Sequence, residues 1–132
     1  MAESIRIEPV WIEAELAIAI HDRQLAEHGG PVGLRDKAMF ESALARPQNQ
    51  WAYGTDDPCA LAAAYAFGIA RNHPFVDGNK RTAWVLARLF LMLNTMKLAF
   101  DPTEAVRTMM ALAAGELSEE ELADWFRTHI AP

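Results

Sequence analysis

The stretch "NHPFVDGNKRTAW", residues 72–84, decides how the chain is read. From His73 to Arg81 it packs a histidine, an aspartate, a glycine, an asparagine, a lysine and an arginine into nine positions, between two of the most apolar runs of the sequence. Upstream, "DDPCALAAAYAFGIARN" offers Asp57 as a helix N-cap and Pro58 at the first helical position. It carries no charge from Cys59 to Ala70 and many small residues, which permits close backbone approach on several sides and marks a central helix. Downstream, "KRTAWVLARLFLMLNTM" is apolar nearly all round from Trp84 to Leu93, broken by Arg88, as expected of a helix buried on most faces. The polar cluster is therefore expected in a loop between two buried helices, at the N-terminus of the second.

Working outward, every other strong signal is also helical. "VWIEAELAIAIHDRQLAEHG" places Ile12, Leu16, Ile20 and Leu25 on one face and stops at Gly29-Gly30. "LRDKAMFESALARP" predicts a second helix ended by Pro47, followed by a loop over "QNQWAYGTD". After a short extended piece, "KLAFD", Asp101 and Pro102 start a helix that stops at Gly115, and Ser118 with Glu121 makes a capping box for the last one. The one candidate strand is short, near "SIRIE" at residues 4–8. The expectation is an all-α fold of about six helices in a single domain over residues 1–132.

The totals narrow the function classes. A net charge of −6 argues against a general nucleic-acid or membrane-surface binder, which needs a basic face. The lone cysteine, Cys59, forms no intrachain disulfide, which suits a reducing compartment. The N-terminus is too acidic for a signal peptide, and no apolar run is long enough to span a membrane, so a cytoplasmic protein is expected. The acidity is uneven, however. Residues 71–88 hold Arg71, Lys80, Arg81 and Arg88 against Asp77 alone, a local charge of +3. That pattern suggests a small anion site.

The first N–H groups of a helix lack internal partners, and the helix dipole makes that end electropositive. Gly78 permits close approach or positive φ, Asn79 can cap or orient, and Lys80 and Arg81 add full charges; together they have the parts of a phosphate cradle. His73 adds a group able to take a proton from a hydroxyl near neutral pH. Asp77 adds a carboxylate of the kind Mg²⁺ takes beside phosphate oxygens. Base, metal ligand and phosphate clamp suit transfer of a phosphate-containing group to a hydroxyl. Phe75 is expected to plug the core and hold the loop. The same residues also read as a plain turn, with Asp77-Gly78 at its corner, Asn79 as N-cap and His73 a satisfied loop histidine. Residue chemistry alone leaves both readings open.

The order of the residues adds a resemblance. "HPFVDGNKR" resembles the signature of the Fic/Doc family, His-x-Phe-x-Asp/Glu-Gly-Asn-Gly-Arg, with His73, Phe75, Asp77, Gly78, Asn79 and Arg81 matching in turn. Lys80 departs from it, and lysine there is typical of the death-on-curing branch, the toxins of type II toxin–antitoxin modules. "HDRQLAEHGGPVGLRD", "ESALARPQ" and "GIARNHPFVDGNKRTAWVLARLFL" resemble that branch in order, so the likeness covers most of residues 17–131. It implies a compact six-helix Fic-type bundle, with the active loop between the two central helices, binding ATP with Mg²⁺. It further implies transfer of the γ-phosphate to a threonine of elongation factor Tu, halting translation. The alternatives are AMP transfer to a protein hydroxyl, as in most Fic relatives, and a retired module that only binds nucleotide or antitoxin.

On this resemblance His73 is the general base and Asp77 orients Mg²⁺ or the acceptor. Gly78 and Asn79 form the anion nest, and Lys80 and Arg81 clamp phosphates. The second arginine common in Fic motifs, three residues after Arg81, is Trp84 here, which again favours phosphate over AMP transfer. Arg71, two residues before His73, either reaches the same anion or is a solvated helix-end cation. Arg88 is expected to pair with a buried acid. Trp51 and Tyr53 lie where the family carries a target-docking flap, although a hydrophobic anchor explains them equally. His21 and His28 are expected to be exposed, Cys59 to be an inert core residue, and Met92, Met96, Met109 and Met110 to pack. The inhibitory Ser/Thr-x-x-x-Glu-Gly/Asn pattern of many Fic enzymes is not found, since Ser4 and Glu8 are followed by Pro9. That motivates a separate Phd-like antitoxin, supplying a helical tail to a groove of the toxin.

Overall fold

The architecture follows from how the apolar third helix is covered. The computed structural model describes residues 6–132, which contain six helices: α1 Ala14–His28, α2 Lys37–Ala52, α3 Pro58–Asn72, α4 Asn79–Leu93, α5 Pro102–Ala113 and α6 Glu119–Thr128. Helix α3 is the central one, in contact with α2, α4, α5 and α6. From Leu61 to Ala66 every one of its residues is buried, Tyr65 included. The predicted caps form: Asp57 accepts from Cys59 N–H at 2.9 Å and Asp101 from Thr103 N–H at 2.8 Å. Ser118 and Glu121 close a reciprocal capping box at 3.0 Å each way. Cys59 is buried, and burial pushes its thiol up to about 11, which leaves it inert near neutral pH.

Small residues on α3 let its neighbours approach closely. A Cβ on Gly68 would lie 2.9 Å from the Ala43 Cα of α2, so the two backbones cross where neither carries bulk. Gly68→Val is therefore expected to destabilise by roughly 1–3 kcal/mol through overpacking. A lowered urea midpoint would show it, and an unchanged one would mean that α2 can retreat.

Helix α2 does not end at Pro47, as the sequence suggested, but runs on to Ala52, with the proline buried inside it. Proline removes one helical hydrogen bond and crowds the carbonyl four residues back, a cost of about 3 kcal/mol in an isolated helix. Here the turn beyond it is anchored. Gln50 Nε2 donates to Glu119 Oε2 at 2.7 Å, and Trp51 packs edge-on to Trp11 at 6.3 Å between ring centroids. The loop expected over "QNQWAYGTD" thus begins only at Tyr53.

The buried face of α1 is Ala17, His21 and Leu25; Leu16 is 42% exposed and Ile20 half-buried, while Ile12 is buried ahead of the helix. Met109 is buried and Met96 half-buried, as expected, but Met92 and Met110 are exposed. "KLAFD" makes a single bridge, Leu98 to Ile130, which ties the chain's last residues to the bundle. The candidate strand at 4–8 falls partly outside the described residues, and residues 6–8 have no regular structure. No described helix is long and apolar enough to cross a membrane.

Candidate active site

The loop that joins α3 to α4 is shaped by a residue at each end in the left-handed region. His73 closes α3 at φ 49° and ψ 54°, its N–H bonded to Ile69 O at 3.2 Å. A non-glycine residue in this conformation costs on the order of 1–2 kcal/mol. Gly78, at φ 76°, is the N-cap of α4 and has no side chain to cap with. The first internal bond of α4 is Thr82 N–H to Gly78 O at 3.0 Å, so the N–H groups of Asn79, Lys80 and Arg81 have no helical acceptor.

Between these ends Phe75 turns inward to 2% exposure, stacked on the His21 ring (3.6 Å between centroids, 8° apart) and edge-on to Phe40 at 5.4 Å. Asn79 is not the N-cap but the first helical residue. Its buried side chain staples the loop, Oδ1 accepting from Phe75 N–H and Nδ2 donating to Phe75 O, both at 3.0 Å. Nδ2 also comes within 3.5 Å of His73 Nδ1, too long to set that ring's tautomer by itself.

The stretch between α1 and α2 braces the other edge of the loop. Leu34 and Phe75 form an antiparallel bridge, Val76 N–H donates to Gly33 O at 3.1 Å, and Arg35 N–H donates to Pro74 O at 2.6 Å. The Arg35 side chain donates to His73 O at 2.8 Å and Asn72 O at 3.1 Å, capping the end of α3.

The result is a cleft of about 400 Å³. One wall is His73, Asp77, Gly78, Asn79, Lys80 and Arg81; the other is His28, Gly29 and Gly30 from the end of α1. His73 and Asp77 are exposed at its mouth. Asp77 Oδ1 accepts from Gly78 N–H at 2.8 Å. Oδ2 faces Gly30, where a Cβ would lie only 2.5 Å away at φ 121°, so both space and backbone call for glycine there. Among the described residues no cluster of three or more acidic, histidine or cysteine side chains could cage a metal. One cleft-facing carboxylate fits Mg²⁺, which completes its shell with water and phosphate oxygens.

Lys80 and Arg81 also line a second, mostly apolar groove of about 530 Å³ between α4 and α5, with Trp84, Phe100, Val106 and Met110. Arg81 Nε is buried with no hydrogen-bond partner among the described residues. Arg88 lies in this groove, 4.7 Å above the Phe100 ring, and makes no ion pair among the described residues, contrary to the expected buried acid. Trp84, in place of an arginine, packs on Phe100 and Trp125.

Two groups of expected site residues stay apart from the cleft. The Arg71 guanidinium lies by Gly115 and over Phe67 at 5.4 Å, as a helix-end cation facing α5 and its following turn. Trp51 and Tyr53 sit at the far end of α2, about 24 Å along a 16-residue helix from the end beside the loop. Trp51 is half-buried as a core anchor and Tyr53 is 92% exposed. The segment that touches the active loop is Gly33–Asp36 instead.

His21 is buried, not exposed as its place on an amphipathic helix suggested; His28 is exposed but lines the cleft. His21, Gly30 and Arg35 were missed because the contacts that matter are made across the fold. The one signal was "HDRQLAEHGG" itself, a polar residue on the stripe that also holds Leu25.

A model of the family described as "Fic/DOC family" matches residues 11–91. Among curated proteins, "Protein kinase doc" of Escherichia phage P1 is 37% identical over 117 residues, covering 88% of this chain and 92% of the relative. "Toxin Doc" of Mycolicibacterium smegmatis is 41% identical over 100 residues, covering 72% of this chain and 76% of the relative.

Proposed function

The chain belongs to the Fic/DOC family, and we propose that it is a Doc-like toxin that transfers the γ-phosphate of ATP to a protein hydroxyl. One arrangement carries the reading: an exposed histidine, a carboxylate and an open helix N-terminus line the same 400 Å³ cleft. In the proposed reaction the acceptor oxygen bonds to the γ-phosphorus while its proton passes to His73. The bond from that phosphorus to the bridging oxygen breaks, and ADP leaves. The N–H groups that open α4, with Lys80 and Arg81, hold the phosphates. Mg²⁺ held by Asp77 and the phosphates would neutralise charge on the transferring group.

Two features favour phosphate over AMP transfer. Lys80 puts a long cation where the commoner family pattern has glycine, and Trp84 removes a cation that AMP-transferring relatives carry. The first relative's name as a protein kinase supports the same choice. The proposed acceptor is a threonine of a translation factor in the cytoplasm, elongation factor Tu being the first to try. The toxin would be restrained by a separate Phd-like antitoxin. The groove beside the cleft suits an acidic amphipathic tail, since Lys80, Arg81 and Arg88 line it and no carboxylate does.

The test is intact-mass spectrometry of elongation factor Tu after incubation with the protein, ATP and Mg²⁺. A gain of one phosphate supports the proposal. A gain of one AMP would move the protein to the commoner family chemistry, and an unchanged mass would mean a different target or a retired active site.

A further inference from the structure

The buried imidazole of α1 takes no part in the reaction described above. We infer that His21 is a positioning residue, which holds Asp77 so that its free carboxylate oxygen faces the cleft; this rests on the reading of Asp77 as the Mg²⁺ ligand. His21 is 1% exposed, and its Nε2 lies 2.7 Å from the Asp77 carbonyl oxygen. A carbonyl only accepts, so the ring must carry its proton on Nε2. The other nitrogen, Nδ1, is 3.8 Å from Asp22 Oδ1, beyond hydrogen-bond range. The Asp77 carbonyl is thus the one hydrogen-bond partner the ring has among the described residues.

Stacking on Phe75 alone would not call for a histidine, because phenylalanine would stack as well without an imidazole to desolvate. The polar ring is explained by the proton it gives to the loop. Two hydrogen bonds then set the Asp77 geometry. His21 holds its carbonyl, Gly78 N–H holds Oδ1 at 2.8 Å, and Oδ2 is left towards Gly30, the residue two beyond the end of α1. Helix α1 therefore supplies the donor behind Asp77, and the turn that follows it supplies the wall in front. Partners bonded directly to a ligating group change metal affinity about 10–100-fold when removed; His21 holds the main chain of Asp77, so about tenfold, the lower end, is expected.

The experiment is calorimetric titration of ATP, with Mg²⁺ and then with EDTA, into the wild-type protein, His21→Phe and His21→Gln. Phenylalanine keeps the stack and loses the donor; glutamine restores a donor at the Nε2 position. If His21 positions Asp77, His21→Phe loses about tenfold of the Mg²⁺-dependent affinity while its affinity for metal-free ATP stays near wild type, and His21→Gln recovers the difference. A merely structural role would weaken both titrations alike, and equal Mg²⁺ dependence in His21→Phe and wild type would overturn the inference. Wild type that binds no ATP at all would sink the functional reading and this inference together. Should His21→Phe fail to fold, the imidazole ¹⁵N shifts of the wild-type protein decide: the Nε2–H tautomer supports the assignment, and the Nδ1–H tautomer overturns it.

Discussion

Replacing His73 by alanine is expected to lower phosphate transfer by roughly 10²–10⁴-fold, the usual contribution of a general base. The fold should survive, because the side chain is exposed and its contact with Asn79 is a marginal 3.5 Å. The backbone adds a sharper version of the experiment. His73 sits at φ 49°, a conformation glycine adopts freely. His73→Gly should lose the same activity and become more stable by about 1 kcal/mol. Rate measurements by mass spectrometry and urea unfolding of both variants check this. Retained transfer in either variant would mean that another group takes the proton. A stability loss in His73→Gly would mean that the imidazole makes a structural contribution its exposure does not reveal.

Arg81→Ala is expected to be nearly as costly to the reaction, roughly 10²–10³-fold, the scale found when one donor to a developing charge is removed. It should not destabilise the fold, because the variant breaks no hydrogen bond or ion pair among the described residues and removes a buried donor that has no partner there. The buried Nε has no partner among the described residues, and the residue stands at the boundary between the cleft and the groove of α4 and α5. A buried donor left unsatisfied is unfavourable until an anion meets it. Phosphate or ATP should therefore raise the melting temperature of the wild-type protein more than that of Arg81→Ala. An equal rise in both would place the anion elsewhere.

Local rules carried the reading a long way in this protein. The uncharged, small-residue run ahead of His73 became the buried central helix expected of it; the apolar run from Trp84 also became a helix, but one buried along a single face, with Met92 and Leu93 exposed. Asp57, Asp101 and Ser118 cap as predicted, because a cap is made by residues two or three apart. His73, Asp77, Gly78, Lys80 and Arg81 share one cleft because nine consecutive positions in one tight turn cannot spread far. Arg71 is the exception. Two residues from His73 in sequence, it lies before the left-handed turn, on the last turn of α3, and faces Phe67 and Gly115.

What the amino-acid sequence determined by itself was the all-helical class, the place of the polar loop between the two central helices, and the helix caps. Each depends on propensity, periodicity or contacts within a few residues. Only the tertiary structure decided that α2 continues through Pro47, because the burial of Trp51 and the bond from Gln50 to Glu119 are made with distant residues and outweigh a local penalty. It alone revealed that Arg88 lies over an aromatic ring, that Met92 and Met110 are exposed, and that Gly33–Asp36 braces the loop. And it alone turned His21, 56 residues from Asp77, into that residue's hydrogen-bond donor. Periodicity treats a histidine on a helix as polar and therefore outward. Its burial depends on an acceptor supplied by another part of the chain, and no local pattern in the sequence encodes that meeting.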